Sequence, residues 1–595
     1  MVKHLVEQVL ARTLDRCVAE GLLPPGPFEI GLEAPKQAAH GDFSSNIAMT
    51  LSRRALGALE GKPRDLAKAI ADRVVDPDGI VAKVEIAGPG FLNVRLSADV
   101  WPRALGEVLA QGAAFGTSNV GAGRRVMVEF VSANPTGPMH VGHGRGAVVG
   151  DVCASLLTAA GYQVVREYYV NDAGRQVAAL AHSVYQRLRE HCGVGAAELG
   201  PDDYPGAYVA DVARAMATEW GDARARSIAA QPFSENAGLL QTTAVNLVLD
   251  TMIKPTLSHF GIRFDHWFFE SKLHREHEVE RAIAELDRRG FIAVEVLPPP
   301  KGMEPSVEES ATPGVPLKIF KSTHFGDDAD RPLANAAGVY TYFAGDVAYH
   351  WDKLQRGFDR LVNVWGADHG GYVKRVQFAV EALSGKKGQP EVVLTQMVNL
   401  LKDGVPLRMG KRSGNFVELQ EVIDEVGADA ARIWFIQRRH DAAVDFDLAK
   451  AKEQSNDNPV FYVQYGHARL ASILRKAAEQ GVAAPRFDLE TARALTLPEE
   501  TDLLKRILAY PELVAGAATA LEPHRVVFFL TETIGAFHSY YTKYKHTERV
   551  IGPDAKKTAA RLLLCLALKQ VLANALALCG VSAPEAMARA EMEQA

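Results

Sequence analysis

Cysteine is scarce in this chain: Cys17, Cys153, Cys192, Cys565 and Cys579 are scattered, with no Cys-x-x-Cys pair. That argues against a zinc ribbon or finger and against a disulfide framework, and it fits a reducing, cytoplasmic compartment. No uninterrupted apolar run approaches the ~18 residues of a membrane span. The opening Met-Val-Lys-His-Leu-Val-Glu-Gln reads as the start of an amphipathic helix, not as a secretory signal. A dominant charge is missing as well, since 66 Lys and Arg face 72 Asp and Glu for a net −6. Such a balance excludes a global basic field, although a local basic surface suffices to hold RNA. Repeats and low-complexity tracts are absent too. The expectation is a soluble cytoplasmic protein with no membrane association.

What is present is ordinary globular composition, 47% hydrophobic and 23% charged, over 595 residues. That length is too great for one core and calls for several domains. Residues 1–112 read as an N-terminal α/β unit. It has a helix at about 2–20, a strand near Phe28-Glu29-Ile30, helices around 44–60 and 63–75, and two strands within Val84 to Leu96 joined by Gly88-Pro89-Gly90. Residues 113–450 alternate apolar strands with helices, which predicts a doubly wound, mostly parallel Rossmann-like sheet with an insertion at about 180–335. Its strands are read at Val126–Val131, Val164–Val170, Gly338–Phe343, Arg360–Trp365 and Val392–Leu401. Residues 451–595 are helical throughout, with helices at roughly 498–520, 524–545 and 555–579, which predicts a bundle.

The segment His140-Val141-Gly142-His143 joins the first of those strands to a long helix, with Asn134-Pro135-Thr136-Gly137-Pro138 just before it. Two histidines three apart at a helix start share one face, beside unpaired N–H groups that attract anions. Gly142 lets a bulky ligand approach the backbone. A second phosphate element lies downstream, where Asp403-Gly404 turns and a basic, glycine-containing loop follows from Arg408 to Asn415. Alone, that loop would be a solvated basic surface. At the carboxyl end of the same sheet as the histidines it suits a triphosphate.

His140 to His143 resembles the HIGH motif of class I aminoacyl-tRNA synthetases, and Arg408-Met409-Gly410-Lys411-Arg412 resembles their KMSKS loop, with Lys411 at the second lysine. Within that class the chain is most similar to the arginyl-tRNA synthetases, over almost its whole length. Further marks are Ala133 to Pro138, Asp424 to Arg432, Asn458 to Tyr465 and Ala583 to Met587. The resemblance implies ATP as substrate, magnesium with the nucleotide, L-arginine, and tRNA(Arg) read by a helical anticodon-binding domain, in a chain acting as a monomer. It implies that His140, His143 and Lys411 carry the phosphate chemistry, with Gly142, Met397, Val398, Arg408, Met409 and Arg412 around the ATP.

For arginine, the planar guanidinium needs carboxylates and an aromatic or amide neighbour. Tyr342 and Asp346, four apart across the end of a strand, match the side-chain pocket by resemblance, and Glu129, Asn134 and His140 match the α-amino and carboxylate end. Glu129 is equally well a buried strand carboxylate paired with a nearby cation. Asp368, in Gly366-Ala367-Asp368-His369-Gly370-Gly371, could accept a ribose or substrate donor. For tRNA, Tyr465, Tyr540, Tyr541 and Tyr544 lie among cations, a pattern that suits unstacked bases. By resemblance Tyr541 and Met587 fall at anticodon-contacting positions, while Tyr540 and Phe537 read as core. The N-terminal unit resembles the family's additional tRNA-binding domain. Two-step aminoacylation is the expected activity, and a catalytically inactive tRNA-binding paralogue is the rival.

Overall fold

The computed structural model describes residues 2–33, 35, 37, 40–296, 315–407 and 417–587. Its centre is a five-stranded sheet of β1 (Arg125–Glu129), β2 (Gln163–Val170), β3 (His266–Phe269), β4 (Arg360–Gly366) and β5 (Glu391–Thr395). Their order across the sheet is β5-β4-β1-β2-β3, and every neighbouring pair is parallel. Val126, Met127 and Val128 are fully buried, as a central parallel strand covered on both faces must be. Between β1 and β2 runs α1 (Val141–Ala159), rich in Gly, Ala and Val and buried on nearly every face. The order in which strands are added reverses at the β1–β4 boundary, the switch point where such sheets take ligands at their carboxyl ends.

The stretch read as an insertion divides in two. Helices fill most of 175–259, but His266–Phe269 returns to the sheet as its edge strand β3. A separate antiparallel sheet then forms from Ile292–Glu295, Leu317–Phe320 and Arg331–Pro332. Three other strand readings need correction. Phe28–Ile30 is not a strand; the N-terminal sheet uses Leu32–Glu33, Phe43–Ser45, Val81–Ala87 and Phe91–Leu96. Gly338–Phe343 is not one either, because Thr341 caps α2 (Tyr342–Gln355), its Oγ1 accepting from Ala344 N. Val392–Leu401 is two strands in different sheets, since Val398–Lys402 pairs with Val444–Asp447 and not with β4. Helix 44–60 is shorter than expected, Ile47–Leu51 followed by single turns.

The C-terminal bundle packs Pro459–Glu479, Pro498–Leu508, Tyr510–Ala520, His524–Tyr544 and α3 (Ala555–Leu578). By length and composition α3 could cross a membrane, yet it lies inside the bundle with Leu562, Leu563, Leu568 and Leu572 buried. One guanidinium ties the bundle to the sheet. Arg432, 1% exposed, donates to Asp151 Oδ2 on α1 at 2.5 Å, to Cys579 O just after α3 at 2.7 Å, and to Phe260 O at 3.0 Å.

Candidate active site

The ends of β1, β2 and β4 and the start of α2 enclose a cavity of about 530 Å3 at the switch point. After Glu129 the chain leaves the sheet through Val131 and Ser132, both at positive φ (68° and 41°). That conformation is costly for a β-branched residue, and such strain clusters where a site must be held in one shape. Here the turn lets Ser132 Oγ donate to Glu129 Oε1 at 3.0 Å and accept from Tyr169 N. Glu129 Oε2 accepts from Lys353 Nζ at 2.6 Å. Glu129 is thus a buried strand carboxylate paired with a cation, and it also lines the cavity.

Tyr342 and Asp346 also line it. They meet as i,i+4 neighbours on the first turns of a helix, not across a strand end. Tyr342 stands at the opening, 56% exposed, while Asp346 lies deeper and accepts from the Tyr372 hydroxyl at 2.5 Å. Burial pushes the Asp346 carboxyl up to about 6, opposed by that hydrogen bond, with Glu129 adding to the rise. His350 below it is held neutral, burial driving its imidazole down to about 3. Glu270, at the end of β3, escaped the sequence reading because its strand fell within the presumed insertion. It is 8% exposed, and burial beside Asp346 and Asp172 lifts its carboxyl to about 7. Of the two carboxyls that line the cavity, Glu129 and Asp346, it is Asp346 that resists ionising while empty, and Glu270 adds to the field from behind it, an arrangement that a cationic ligand would relieve.

At the start of α1, His140 is the N-cap: its Nδ1 accepts from Gly142 N, and His143 Nδ1 accepts from His140 N. Each neutral imidazole then carries its proton on Nε2, a donor. The rings stack with centroids 3.7 Å apart. A Cβ on Gly142 would lie 2.8 Å from the His140 ring and push that ring out of its capping position. Val417 O accepts from Val141 N, and Met139 O accepts from Leu419 N, which seats the downstream flank of the basic loop against the histidines. Arg408, Met409, Lys411 and Arg412 lie outside the described residues. Met397 is 71% exposed on this side, whereas Val398 is 4% exposed with its side chain in the core, so it offers a ligand only backbone. Arg145, two residues past His143, donates to the carbonyls of Gln396, Phe435, Arg439 and Ala442.

Three of the residues expected around the arginine, His140, Asp368 and Asn134, stand apart from the cavity lining. Asp368 follows β4 on a solvent-facing turn, its carboxylate 3.6 Å from His369 Nε2, while Tyr372 from the same turn reaches inward. Asn134 is exposed and donates to Gln176 Oε1 at 2.7 Å. Among the described residues no cluster of three His, Cys, Asp or Glu side chains could hold a metal, so no step is assigned to magnesium.

In the bundle, Tyr541 packs under Arg469, whose Cζ is 4.7 Å from the ring centroid, and Arg469 also borders Tyr465. Tyr541 lines a second, smaller cavity with Lys476 and Lys545. Tyr540 and Phe537 are core, as expected, with Tyr540 bonded to Glu500. Met587 is half-buried at the end of the described chain.

A doubly wound 5-4-1-2-3 sheet, a histidine pair capping the helix after its first strand and a cavity at the switch point that holds Glu129 and Asp346 define a class I aminoacyl-tRNA synthetase. Comparisons with known proteins narrow the class. The chain matches the family models described as arginyl tRNA synthetase N terminal domain (residues 2–96), tRNA synthetases class I (R), catalytic domain (104–295) and DALR anticodon binding domain (463–587). It is 51% identical to an arginine–tRNA ligase of Anaeromyxobacter sp. strain Fw109-5, over 99% of this chain and 98% of that one. With the arginine–tRNA ligase of Magnetococcus marinus it shares 46% identity over 98% and 100%. The solved arginyl-tRNA synthetase of Thermus thermophilus superposes with a TM-score of 0.70 at 21% identity, over 99% of this chain and 100% of that one. The chain belongs to the arginyl-tRNA synthetase family, the arginine–tRNA ligases.

Proposed function

We propose that this chain activates L-arginine with ATP and transfers it to the 3′-terminal adenosine of tRNA(Arg), releasing AMP and diphosphate. The observation that carries the reading is a cavity at the switch point that holds Glu129 and Asp346, with two imidazoles capping the helix that follows the same strand. Asp346 and Tyr342 take the guanidinium, with Glu270 beside Asp346 adding to the negative field; Glu129, with Asn134 and His140, takes the α-amino and carboxylate end. The arginine carboxylate attacks the α-phosphorus in line and diphosphate leaves, with no covalent enzyme intermediate. His140, His143 and Lys411, assisted by Arg408 and Arg412, stabilise the charge that builds on the phosphates. Lys411 is six residues from Val417, whose carbonyl bonds Val141, a span of at most about 20 Å. Met397, with Met409 and the backbone of Gly142 and Val398, borders the nucleotide, and magnesium accompanies it. Asp368 at the rim is left for a ribose hydroxyl.

The bundle, through Tyr465, Tyr541 and Met587, reads the anticodon loop, and the domain divisions are 1–112, 113–450 and 451–595. The enzyme works as a cytoplasmic monomer. Diphosphate exchange with each amino acid, with and without total tRNA, tests the proposal: exchange with arginine is expected, and exchange with lysine but not arginine would overturn it. Lys411→Ala should slow adenylate formation by about 100-fold or more while leaving arginine binding near the parent value; full turnover in that variant would remove the loop from the chemistry.

A further inference from the structure

Lys353 is a lysine with no access to water: it lies on the inner face of α2 and is 0% exposed. Its ammonium donates to Glu129 Oε2 at 2.6 Å and to Asn363 Oδ1 at 3.2 Å, and it sits 4.1 Å from the centroid of the Tyr349 ring. Asn363 is the β4 residue in register with Glu129 on β1, so the contact spans the switch point itself. The chain of bonds continues from Asn363 Nδ2 to His350 Nε2 at 3.1 Å, and from His350 Nδ1 to the carbonyl of Asp346 at 2.8 Å. The other charge nearby is already taken, since Glu167 on β2 is held by Arg356, His266 and the Tyr349 hydroxyl.

A buried ion pair is a poor way to gain stability, because desolvating two charges cancels most of their attraction, and apolar side chains of like volume do as well. What such a pair does provide is a fixed position. Glu129 has one oxygen tied by Ser132 and the other by Lys353, leaving its outward lone pairs to the cavity. We propose that Lys353 is a positioning residue of the amino-acid site: it aims the Glu129 carboxylate at the α-ammonium of the substrate, and through Asn363 and His350 it locks that carboxylate to the helix that presents Asp346. The lysine never touches substrate. The distance between the two anchoring carboxylates, and so the length of amino acid accepted, is set by this internal brace.

The inference rests on the arginine-activating reading of the cavity, and a parent protein that fails to exchange with arginine would fault that reading, not this one. The test compares Lys353→Met, Glu129→Gln and the double variant in the full chain with tRNA present. Readouts are the KM for arginine and the inhibition constant of 5-guanidinopentanoate, which is arginine without its α-amino group. Each single variant should raise the KM for arginine about 30-fold or more, the lower end for breaking a buried charged contact. The inhibition constant of the desamino analogue should move less than threefold. Because Lys353 acts through Glu129, the double variant should match Glu129→Gln alone and not multiply the losses. An unchanged KM in Lys353→Met, an equal loss of the desamino analogue, or multiplied losses in the double variant would each overturn the proposal. Where Lys353→Met leaves too little folded protein, the double variant carries no uncompensated buried charge at this site, and its comparison with Glu129→Gln decides alone.

Discussion

Arginine should bind more weakly as the pH falls from 7 to 5, and Asp346 is the reason. In the empty cavity burial holds its carboxyl at about 6, so the group is mostly ionised at pH 7 and mostly protonated at pH 5. The guanidinium of the substrate stays charged throughout this range and pairs with the carboxylate, not the acid. From Asp346 alone the apparent dissociation constant therefore rises about twofold at pH 6 and about tenfold at pH 5, and changes little above pH 7. Glu270, lifted by burial to about 7, adds a second loss that begins earlier. Calorimetry in two buffers of different ionisation enthalpy should find protons released on binding at pH 6, about half a proton from Asp346. Asp346→Asn should cost about 2–5 kcal/mol of arginine binding and remove that part of the pH dependence. The same substitution should stabilise the unliganded protein. A carboxyl whose folded value is raised favours folding only while protonated, so the parent carries a penalty above pH 6, at most about 3 kcal/mol, that the asparagine lacks. An affinity unchanged between pH 5 and 7, or protons taken up on binding, would refute this account.

Two other outcomes are expected. Arg145→Met strips the donors from four carbonyls around a side chain that is 1% exposed, and should cost about 3–5 kcal/mol in chemical denaturation while raising the KM for ATP, because Gln396 adjoins Met397. Tyr541→Ala should raise the KM for tRNA by about tenfold, the equivalent of one lost base stack, and leave the KM for arginine within twofold.

Much of the fold was legible from the chain alone wherever the signal was local. The apolar strand, glycine-bearing loop and long helix around His140 are one continuous stretch, and the structure places them as that stretch predicts. The same holds for the bundle, whose helices from Pro498 to Leu578 follow their apolar periodicity. The misreadings come from segments whose conformation is decided elsewhere. Gly338–Phe343 alternates like a strand, yet a threonine cap three residues before Ala344 starts a helix there. That error did not separate Tyr342 from Asp346, because a spacing of four brings two residues together on a helix as well. Glu270, Lys353 and Asn363 were invisible for a different reason. Each acquires meaning only from a partner on another element, more than 200 residues away in the case of Glu129 and Lys353, and no spacing along the chain encodes that.

Arg432 spends its donors on three separate bodies: the helix that begins with the histidines, the helical segment ending at Phe260, and the exit of the longest bundle helix. A guanidinium is a rigid plane, so its partners share one frame of reference. If the bundle tilts on gripping a long nucleic acid, either the histidine helix travels with it or a desolvated donor is stranded, at a cost of about 1–3 kcal/mol. The plane of that one side chain thus couples the attitude of the bundle to that of the histidine helix.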